Sequence, residues 1–297
     1  MIGLRSIHHV FPRSSSAVAS AVAPSVMKFS PTYIRSFSTT ISTRAKQEMN
    51  MADIPITNIG VMADYYVPPS ILKQPMKFWP VLLGRRFLLF AGNTYNIVKY
   101  KQETGSKLNF NRWKDDAIEK YVKMNKAFAS ACNQPILLNG ARERYIIKNL
   151  TDDCGRYTIL NLIDRVQTFP LHSTVTWELV NILKNPKIVS FNCIPDQNNV
   201  LVFVQFVMKL ETTQKMTITT NGKDEVSNVN NTDYLVYTLN PHTNESALVG
   251  KVFESNNIRK VAPDYTNQSN PAWVKRFLSE SADIYRANPN LESKDKV

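Results

Sequence analysis

Apolar residues recur at helical spacing in the first half of the chain and alternate with polar residues in much of the second half. The clearest helical pattern runs from about Asn111 to Cys132, with Asn111 as the predicted N-cap. Five apolar positions share one face of this helix: Trp113, Ala117, Tyr121, Met124 and Phe128. Such a stripe is far more typical of a packed core than of a cofactor site, so the helix is expected to pack against the rest of the fold.

Three more helices are predicted on either side of this one. The first covers about Val81–Thr104 and ends at Gly105, because glycine commonly follows the last turn of a helix. Its apolar positions recur at helical spacing: Phe87, Ala91, Tyr95 and Val98. The second begins at Pro135 and passes through Ile146. The third covers about Thr151–Arg165 and is weakened by Gly155.

The apolar period changes to two after Pro170, which predicts a run of strands. The predicted strands are Thr174–Leu183, Lys187–Ile194, Val200–Leu210, Tyr234–Leu239 and Ala247–Phe253. Pro186 separates the first two, and an extension of the third through Thr217–Thr220 is left open. Asn221–Gly222 is a turn signal, and the polar residues from there to Asn231 are predicted to form a long loop.

A last helix is predicted to begin at Asn270–Pro271, with four residues facing inward: Trp273, Phe277, Ile284 and Tyr285. Helices followed by consecutive antiparallel strands favour an α+β fold over a doubly wound one. The sequence therefore predicts N-terminal helices packed on one face of a curved antiparallel sheet of about four to five strands, followed by a C-terminal helix.

The net charge of +12 is concentrated in two parts of the chain. Residues 1–47 carry six bases and no acid, and residues 71–114 carry nine bases against one acid, Glu103. In the second block the bases are mixed with aromatic and aliphatic residues, above all between Phe78 and Phe90. Such a block suits a surface that lies on phospholipid headgroups, ribosomal RNA or both. The alternative is a helix with a buried apolar face and a solvated basic face.

The N-terminal residues 1–45 have the composition of a mitochondrial transit peptide, rich in Ser, Thr, Ala and Arg and without acids. The alternative is a disordered basic tail. Residues 46–70 are expected to be a linker, 71–286 a single α+β domain that binds ribosome and membrane, and 287–297 a charged tail. A membrane span needs about 20 uncharged apolar residues, and Arg85–Arg86 divides the best candidate. Peripheral attachment is the strongest membrane interaction that the sequence predicts.

Residues with catalytic potential are few. Cys132, Cys154 and Cys193 form no CxxC pair and are expected to be buried, reduced thiols. Outside the predicted transit peptide the histidines are His172 and His242, seventy residues apart. No nucleotide-binding, serine-hydrolase or zinc-protease motif occurs. The sequence therefore predicts no catalysis, no metal site and no cofactor, although a fold of this kind can enclose a pocket.

Several patches of the sequence resemble a known family. They are Ile59–Pro68, Arg85–Phe87, Trp113–Tyr121, Leu248–Ser255 and Asp283–Arg286. Together they resemble the fungal Mba-type ribosome receptor of the mitochondrial inner membrane. The likeness runs in order from about residue 55 to residue 286, and the patches are specific in combination, although none is a catalytic signature.

The resemblance implies a cone-shaped α+β domain similar to the C-terminal domain of the import-motor anchor subunit. That domain is also similar to the mitoribosomal large-subunit protein beside the exit tunnel. The resemblance further implies a peripheral protein on the matrix side of the inner membrane that docks the mitochondrial ribosome large subunit. There it would align the exit tunnel with an Oxa-type insertase, so that nascent mitochondrially encoded membrane proteins insert during synthesis. Because the family has no fixed binding motif, the resemblance supplies a role and no residue map.

The basic block can be divided into three groups on physical grounds. An apolar group is expected at the boundary of the lipid headgroups: Phe78, Trp79, Phe87, Leu88 and Phe90. A first set of bases is expected to contact anionic lipid: Lys73, Lys77, Arg85 and Arg86. A second set is expected to face rRNA phosphate: Lys99, Lys101, Lys107, Arg112 and Lys114. The competing interpretation is that Phe87, Leu88 and Phe90 belong to the domain core.

Two other function classes stay open at this point. One is a constitutive protein of the mitoribosomal large subunit, which would survive high-salt washing of ribosomes where a receptor would not. The other is a binding module of the import motor, or a small-molecule enzyme of the same fold, which would need a pocket lined by polar residues.

Overall fold

The computed structural model describes residues 54–290, apart from 136–139, 171, 197, 257–260, 262 and 264–265. Within that part of the chain, five α-helices and four strands follow in this order: α1 (Trp79–Thr104), α2 (Phe110–Cys132), α3 (Ala141–Leu150), α4 (Arg156–Gln167), β1 (Ser173–Pro195), β2 (Leu201–Thr220), β3 (Lys223–Leu239), β4 (Ser246–Val252) and α5 (Pro271–Ser281). The α+β prediction is confirmed. The predicted transit peptide and most of the predicted charged tail lie outside the described residues.

The first two helices follow the predicted pattern closely. At the end of α1, Gly105 adopts a left-handed conformation with φ of 63°, and its N–H donates to the Lys101 carbonyl at 3.1 Å. Four of the five predicted stripe residues of α2 are buried and Phe128 is half-buried, so the core interpretation of the stripe is confirmed. Asn111 is not the N-cap, because the helix already begins at Phe110 and Asn109 occupies the capping position.

The next two helices begin later than predicted. Helix α3 starts at Ala141, and the residues just after Pro135 lie outside those described. Helix α4 starts at Arg156 because the preceding backbone pairs with β4: the Gly155 N–H donates to the Leu248 carbonyl at 2.7 Å. A Cβ atom at position 155 would come within 3.2 Å of the Val249 Cα. Glycine at this position therefore permits a close backbone approach, and it caps the helix from outside instead of weakening it from within.

The sheet is antiparallel throughout, with the strand order β1-β2-β3-β4. Residues 174–194, predicted as two strands, form the single long strand β1. Pro186 lies in a stretch where the pairing register with β2 shifts, between Lys184 and Lys187. A proline is tolerated here because β1 is an edge strand and the bulge releases the residue from pairing.

The predicted loop at residues 221–231 is wrong. Asn221 and Gly222, with φ of 52° and 74°, form a two-residue hairpin turn, and pairing resumes at once between Thr220 and Lys223. The polar residues that follow are therefore the first half of β3. This part of the sheet is largely exposed on both faces, so its strand residues need not be apolar. The resulting polar composition led to the prediction of a loop.

The main core lies between the helices and one face of the sheet. On the second face, residues 59–67, here called the leading segment, run irregularly across β2, β3 and β4, and Ile59, Val61, Tyr65 and Val67 are buried. Gln205 fixes this segment: its Oε1 accepts from the Met62 N–H at 3.0 Å, and its Nε2 donates to the Gly60 carbonyl at 2.8 Å. The part of the sheet around Gln205 is thus covered on both faces, and this fully buried side chain is satisfied by the backbone that covers it.

The C-terminal helix is confirmed, and the Asn270 side chain caps it by accepting from the Ala272 N–H at 3.0 Å. The helix ends at Ser281, so Ile284 and Tyr285 lie in the following turn. Ile284 is buried as predicted, and the Tyr285 hydroxyl donates to Asn125 Oδ1 at 2.8 Å. Trp273 and Phe277 are only half-buried and stack on each other.

The turn after α5 packs on Gly250 so closely that no side chain fits there. A Cβ atom at position 250 would lie 2.5 Å from the Ser281 carbonyl oxygen and 2.7 Å from Val61 Cγ2. We expect Gly250→Ala to lower the free energy of unfolding by about 2–3 kcal/mol, since backbone must move to make room. Urea denaturation measures this change.

The matched controls for this substitution are Gly84→Ala and Gly92→Ala, which lie inside α1 with no heavy atom within 4 Å of the added Cβ. Alanine there should raise the free energy of unfolding by about 0.5–1 kcal/mol, because glycine is the poorer helix former. A neutral effect of Gly250→Ala would contradict the packing described here.

Candidate interface on the first helix

Helix α1 turns most of its apolar residues away from the core. Of its side chains, only Leu82 and Tyr100 are buried. Phe87, Leu88 and Phe90 are 69, 69 and 68 % exposed. Burial of these three residues in the domain core, the competing interpretation of the sequence, is therefore wrong.

The exposed apolar residues form one continuous, uncharged face. At 100° per residue, ten positions between 81 and 98 occupy the half of α1 opposite the core. They are Val81, Leu83, Gly84, Phe87, Leu88, Phe90, Ala91, Thr94, Tyr95 and Val98. We call this set the outer face. A contiguous exposed apolar patch of this kind marks a surface that binds a protein partner or a membrane.

The bases at the start of α1 differ in their surroundings. Arg86 is half-buried, and its Nη2 donates to the Pro69 carbonyl at 2.5 Å, so this guanidinium holds α1 against the chain that precedes it. Arg85 is exposed and lies over the Tyr66 ring, with its guanidinium carbon 5.5 Å from the ring centroid. The side chain of Lys73 is outside the described part of the structure.

Two further predicted residues lie just before and at the start of α1. Lys77 is exposed, with its Nζ 5.0 Å from the centroid of the Phe78 ring. Trp79 is half-buried and donates from Nε1 to the Gln74 carbonyl at 3.0 Å. Of the four bases assigned to lipid, Lys77 and Arg85 are thus the two whose side chains the structure describes as exposed.

The second set of bases lies where α1 ends and α2 begins. Lys101, Lys107 and Arg112 are exposed and close together in the chain, and we call them the basic end. Lys99 differs from them: its side chain is 13 % exposed, and its Nζ lies 3.6 Å from Glu103 and donates to Asn199 Oδ1 at 2.8 Å. Lys114 is half-buried and lines a cavity.

Lys101 of the basic end follows the last residue of the outer face, Val98, on the same helix, whereas Lys107 precedes α2 and Arg112 lies in its first turn. Phe87 and Lys101 are fourteen residues apart, which corresponds to about 20 Å at 1.5 Å per residue. Within the basic end, Lys101 lies in the last turn of α1, where the helix dipole favours positive charge. The arrangement therefore presents an apolar surface and a cationic surface at two places that are both accessible to solvent.

The three cysteine thiols lie in surroundings that lower their reactivity. Burial raises the pKa of Cys132 to about 11 and that of Cys154 to about 12. Burial also raises the pKa of Cys193 to about 11, and its thiol donates to the Asn96 carbonyl at 3.2 Å. These thiols are protonated at neutral pH and are poor nucleophiles. Across the described residues, no cluster of His, Cys, Asp or Glu could hold a metal ion.

No helix in the described part of the chain is long and apolar enough to cross a membrane.

Comparison with known families decides to which family the chain belongs. Residues 45–290 match the family described as MBA1-like protein. The chain belongs to the MBA1-like protein family.

A curated relative supports the same assignment. The chain is 27 % identical over 261 residues to the Saccharomyces cerevisiae protein named inner membrane mitoribosome receptor MBA1, mitochondrial. The aligned region covers 84 % of this chain and 86 % of the yeast protein. The MBA1-like match spans the leading segment, α1 and the whole sheet, so the resemblance seen in scattered sequence patches is confirmed over nearly the full fold.

Sequence reasoning missed part of the interface. Leu83 and Val98 belong to the outer face, although only the residues around Phe87 were assigned to lipid. Leu83 lies four residues before Phe87, and Val98 lies seven residues after Ala91. This helical spacing was a usable signal. The engagement of Arg86 and Lys99 by other parts of the fold had no signal in the local sequence, because their partners lie 17 and 100 residues away.

Proposed function

We propose that this protein is a peripheral receptor on the matrix side of the mitochondrial inner membrane that docks the large subunit of the mitochondrial ribosome near its exit tunnel. Docking aligns the exit tunnel with an Oxa-type insertase, so that nascent mitochondrially encoded membrane proteins insert as they are made. Membership of the MBA1-like family and the name of the yeast relative support the receptor role. Both contacts are equilibrium binding, and we propose no catalytic step.

The observation that carries the membrane part of this proposal is the outer face of α1. Aromatic and aliphatic side chains that stand outward on a helix and are free of charge can enter the headgroup region with the helix lying parallel to the membrane. Lys77 and Arg85 are exposed beside this face, where each can contribute about 1 kcal/mol of attraction to an anionic surface.

The basic end supports the ribosome part of the proposal. Lys101, Lys107 and Arg112 are exposed, and none forms an ion pair with another described residue. Such bases bind RNA phosphates with release of counterions. Lys101 lies about 20 Å from Phe87 along α1, and Lys107 and Arg112 follow beyond the end of that helix. These bases can therefore meet a second, anionic partner while the aromatic part of the outer face contacts the membrane.

Co-sedimentation of residues 46–297 with purified mitochondrial large subunits across a salt series tests the ribosome contact. We expect strong binding at low salt that falls steeply as the salt concentration rises. Replacing Lys101, Lys107 and Arg112 together by glutamine should reduce the slope of log affinity against log salt by about two to three, roughly one for each lost phosphate contact.

The control is a triple glutamine variant of three exposed lysines elsewhere: Lys126, Lys148 and Lys275. It carries the same change of net charge and should keep most of the slope. Binding that persists in high salt would indicate a built-in ribosomal protein. Absence of binding at every salt concentration would contradict the receptor role and leave the import motor as the alternative partner.

A further inference from the structure

A cavity of about 480 Å³ lies between α1, the start of α2 and the middle of β1. Its lining includes four apolar side chains, Ile97, Phe110, Ile188 and Phe191, which we call the floor. Two lysines, Lys114 and Lys187, line the same cavity. The volume falls within the range of roughly 300–1,000 Å³ that is usual for small-molecule sites.

Neither lysine is neutralised within the described structure. Lys114 and Lys187 form no ion pair or hydrogen bond with any described residue, and the cavity lining contains no acid. Other lysines on α2 behave differently, since Lys120 and Lys123 both pair with Asp153. Two uncompensated ammonium groups above an apolar floor are complementary to a ligand that carries both a negative charge and a hydrocarbon part.

Hydrogen bonds to the backbone of β1 hold the wall of this cavity in position. The β1–β2 register shifts on both sides of Lys187, and Pro186, which has no N–H, lines the cavity in the bulged stretch. Just beyond it, the Asn93 side chain bridges α1 and β1: it donates to the Val189 carbonyl at 3.0 Å and accepts from the Phe191 N–H at 3.0 Å. These bonds take the place of a neighbouring strand and keep the wall of the cavity in position.

The cavity lies beside the outer face of α1. Leu83, Phe90 and Ile97 follow one another at intervals of seven residues, so they lie in one row along the helix. Leu83 and Phe90 are exposed, whereas Ile97 is half-buried in the cavity floor. The cavity therefore lies next to the face that is proposed to contact the membrane, although Phe90 and Leu83 are not part of its lining.

We infer that this cavity binds one anionic glycerophospholipid, with its phosphate held by Lys114 and Lys187 and an acyl chain on the apolar floor. The inference rests on the proposed function, in which α1 lies on the membrane, and adds a specific lipid site to a general surface attachment. A phosphate group alone would satisfy the lysines but leave the apolar floor unfilled, so a ligand that joins a phosphate to a hydrocarbon chain fits the lining better.

Titration of residues 46–297 with dihexanoyl phosphatidylglycerol, below the concentration at which this lipid forms micelles, tests the site apart from any membrane surface. We expect one lipid per protein and affinity at least tenfold higher than for dihexanoyl phosphatidylcholine. The variant Lys114→Gln with Lys187→Gln should lose this tenfold preference. The control Lys126→Gln, an exposed lysine in the second half of α2 that lines a different cavity, should retain it.

The two proposals fail in different ways. If the soluble lipid does not bind, or if inorganic phosphate or an RNA oligonucleotide displaces it equally well, the cavity assignment is overturned, whether or not vesicles bind. The outer-face variant Phe87→Ser with Phe90→Ser should still bind the soluble lipid while losing vesicle binding. If it keeps both, the membrane part of the proposed function fails and the lipid site stands.

Discussion

A variant in which serine replaces both Phe87 and Phe90 is expected to bind anionic vesicles about 100-fold more weakly than the unaltered protein. Both side chains are about two-thirds exposed and lie midway along the length of the outer face. Transfer of two phenylalanine side chains from water into the headgroup boundary is worth about 3 kcal/mol, and serine forfeits this gain. Vesicle flotation with phosphatidylcholine and cardiolipin measures the partition coefficient.

The same variant should unfold with nearly unchanged free energy, because neither side chain packs in the core. The matched control is Val226→Ser with Val229→Ser on β3, where the side chains are 53 and 50 % exposed but lie outside α1. This pair should leave vesicle binding intact. Equal losses in both variants would mean that exposed apolar residues contribute without regard to place, and unchanged binding of the α1 variant would remove the outer face from the membrane contact.

Replacing Lys251 by methionine is expected to lower the free energy of unfolding by about 3–5 kcal/mol. Asp233 is 1 % exposed, and its Oδ1 lies 2.6 Å from the Lys251 Nζ. Its Oδ2 accepts from the Tyr121 hydroxyl at 2.8 Å and from Asn231 Nδ2 at 2.7 Å. Burial, followed by the nearby Asp233 charge, holds the pKa of Tyr121 well above its usual value, so the hydroxyl remains a donor. Loss of the ammonium leaves a buried carboxylate without its counter-charge.

Urea denaturation of Lys251→Met measures this effect, and Lys184→Met is the matched control. Lys184 also contacts a carboxylate, at 2.7 Å from Glu211, but its side chain is 70 % exposed, so its removal should cost less than about 1 kcal/mol. Adding Asp233→Asn to Lys251→Met should recover part of the loss, because the amide no longer needs a cation. If the two lysine variants lost similar amounts of unfolding free energy, burial of the Lys251–Asp233 pair would be unimportant.

Local periodicity was sufficient to predict most of the fold. The α2 stripe from Trp113 to Phe128 faces the sheet because aromatic residues at intervals of three and four can share only one side of a helix. Local periodicity failed to predict a strand that has no buried face, because polar and apolar residues do not alternate there. Residues 223–232 of β3 are polar because both sides of the sheet are largely open there, and no alternation records the pairing with β2.

The interface was only partly predictable for a related reason. Helix α1 is apolar around most of its circumference, so the sequence cannot tell which side packs and which side is exposed. Leu82 is buried and Leu83 is exposed, although their types are identical. The nine bases of residues 71–114 also look equivalent in sequence, whereas the partners that separate them, such as Pro69 for Arg86, are set by the tertiary fold.

The leading segment shows the limit of composition as a guide to domain structure. Residues 46–70 were expected to be a linker because prolines and acids are frequent there. The alternation of Ile59, Val61, Tyr65 and Val67 was present in the sequence, and these are the side chains that cover the second face of the sheet. The Tyr65 hydroxyl donates to Gln205 Oε1 on β2, 140 residues away, so the irregular path of the segment could be found only from the fold.

The most direct test of the bridging role is flotation of purified mitochondrial large subunits with vesicles of phosphatidylcholine and cardiolipin, in the presence of residues 46–297. We predict that large subunits float with the vesicles only when the protein is added. Either the double serine variant of the outer face or the triple glutamine variant of the basic end should abolish this recruitment. Protein that binds vesicles and binds large subunits, but never carries one to the other, would contradict a receptor that holds the ribosome at the membrane.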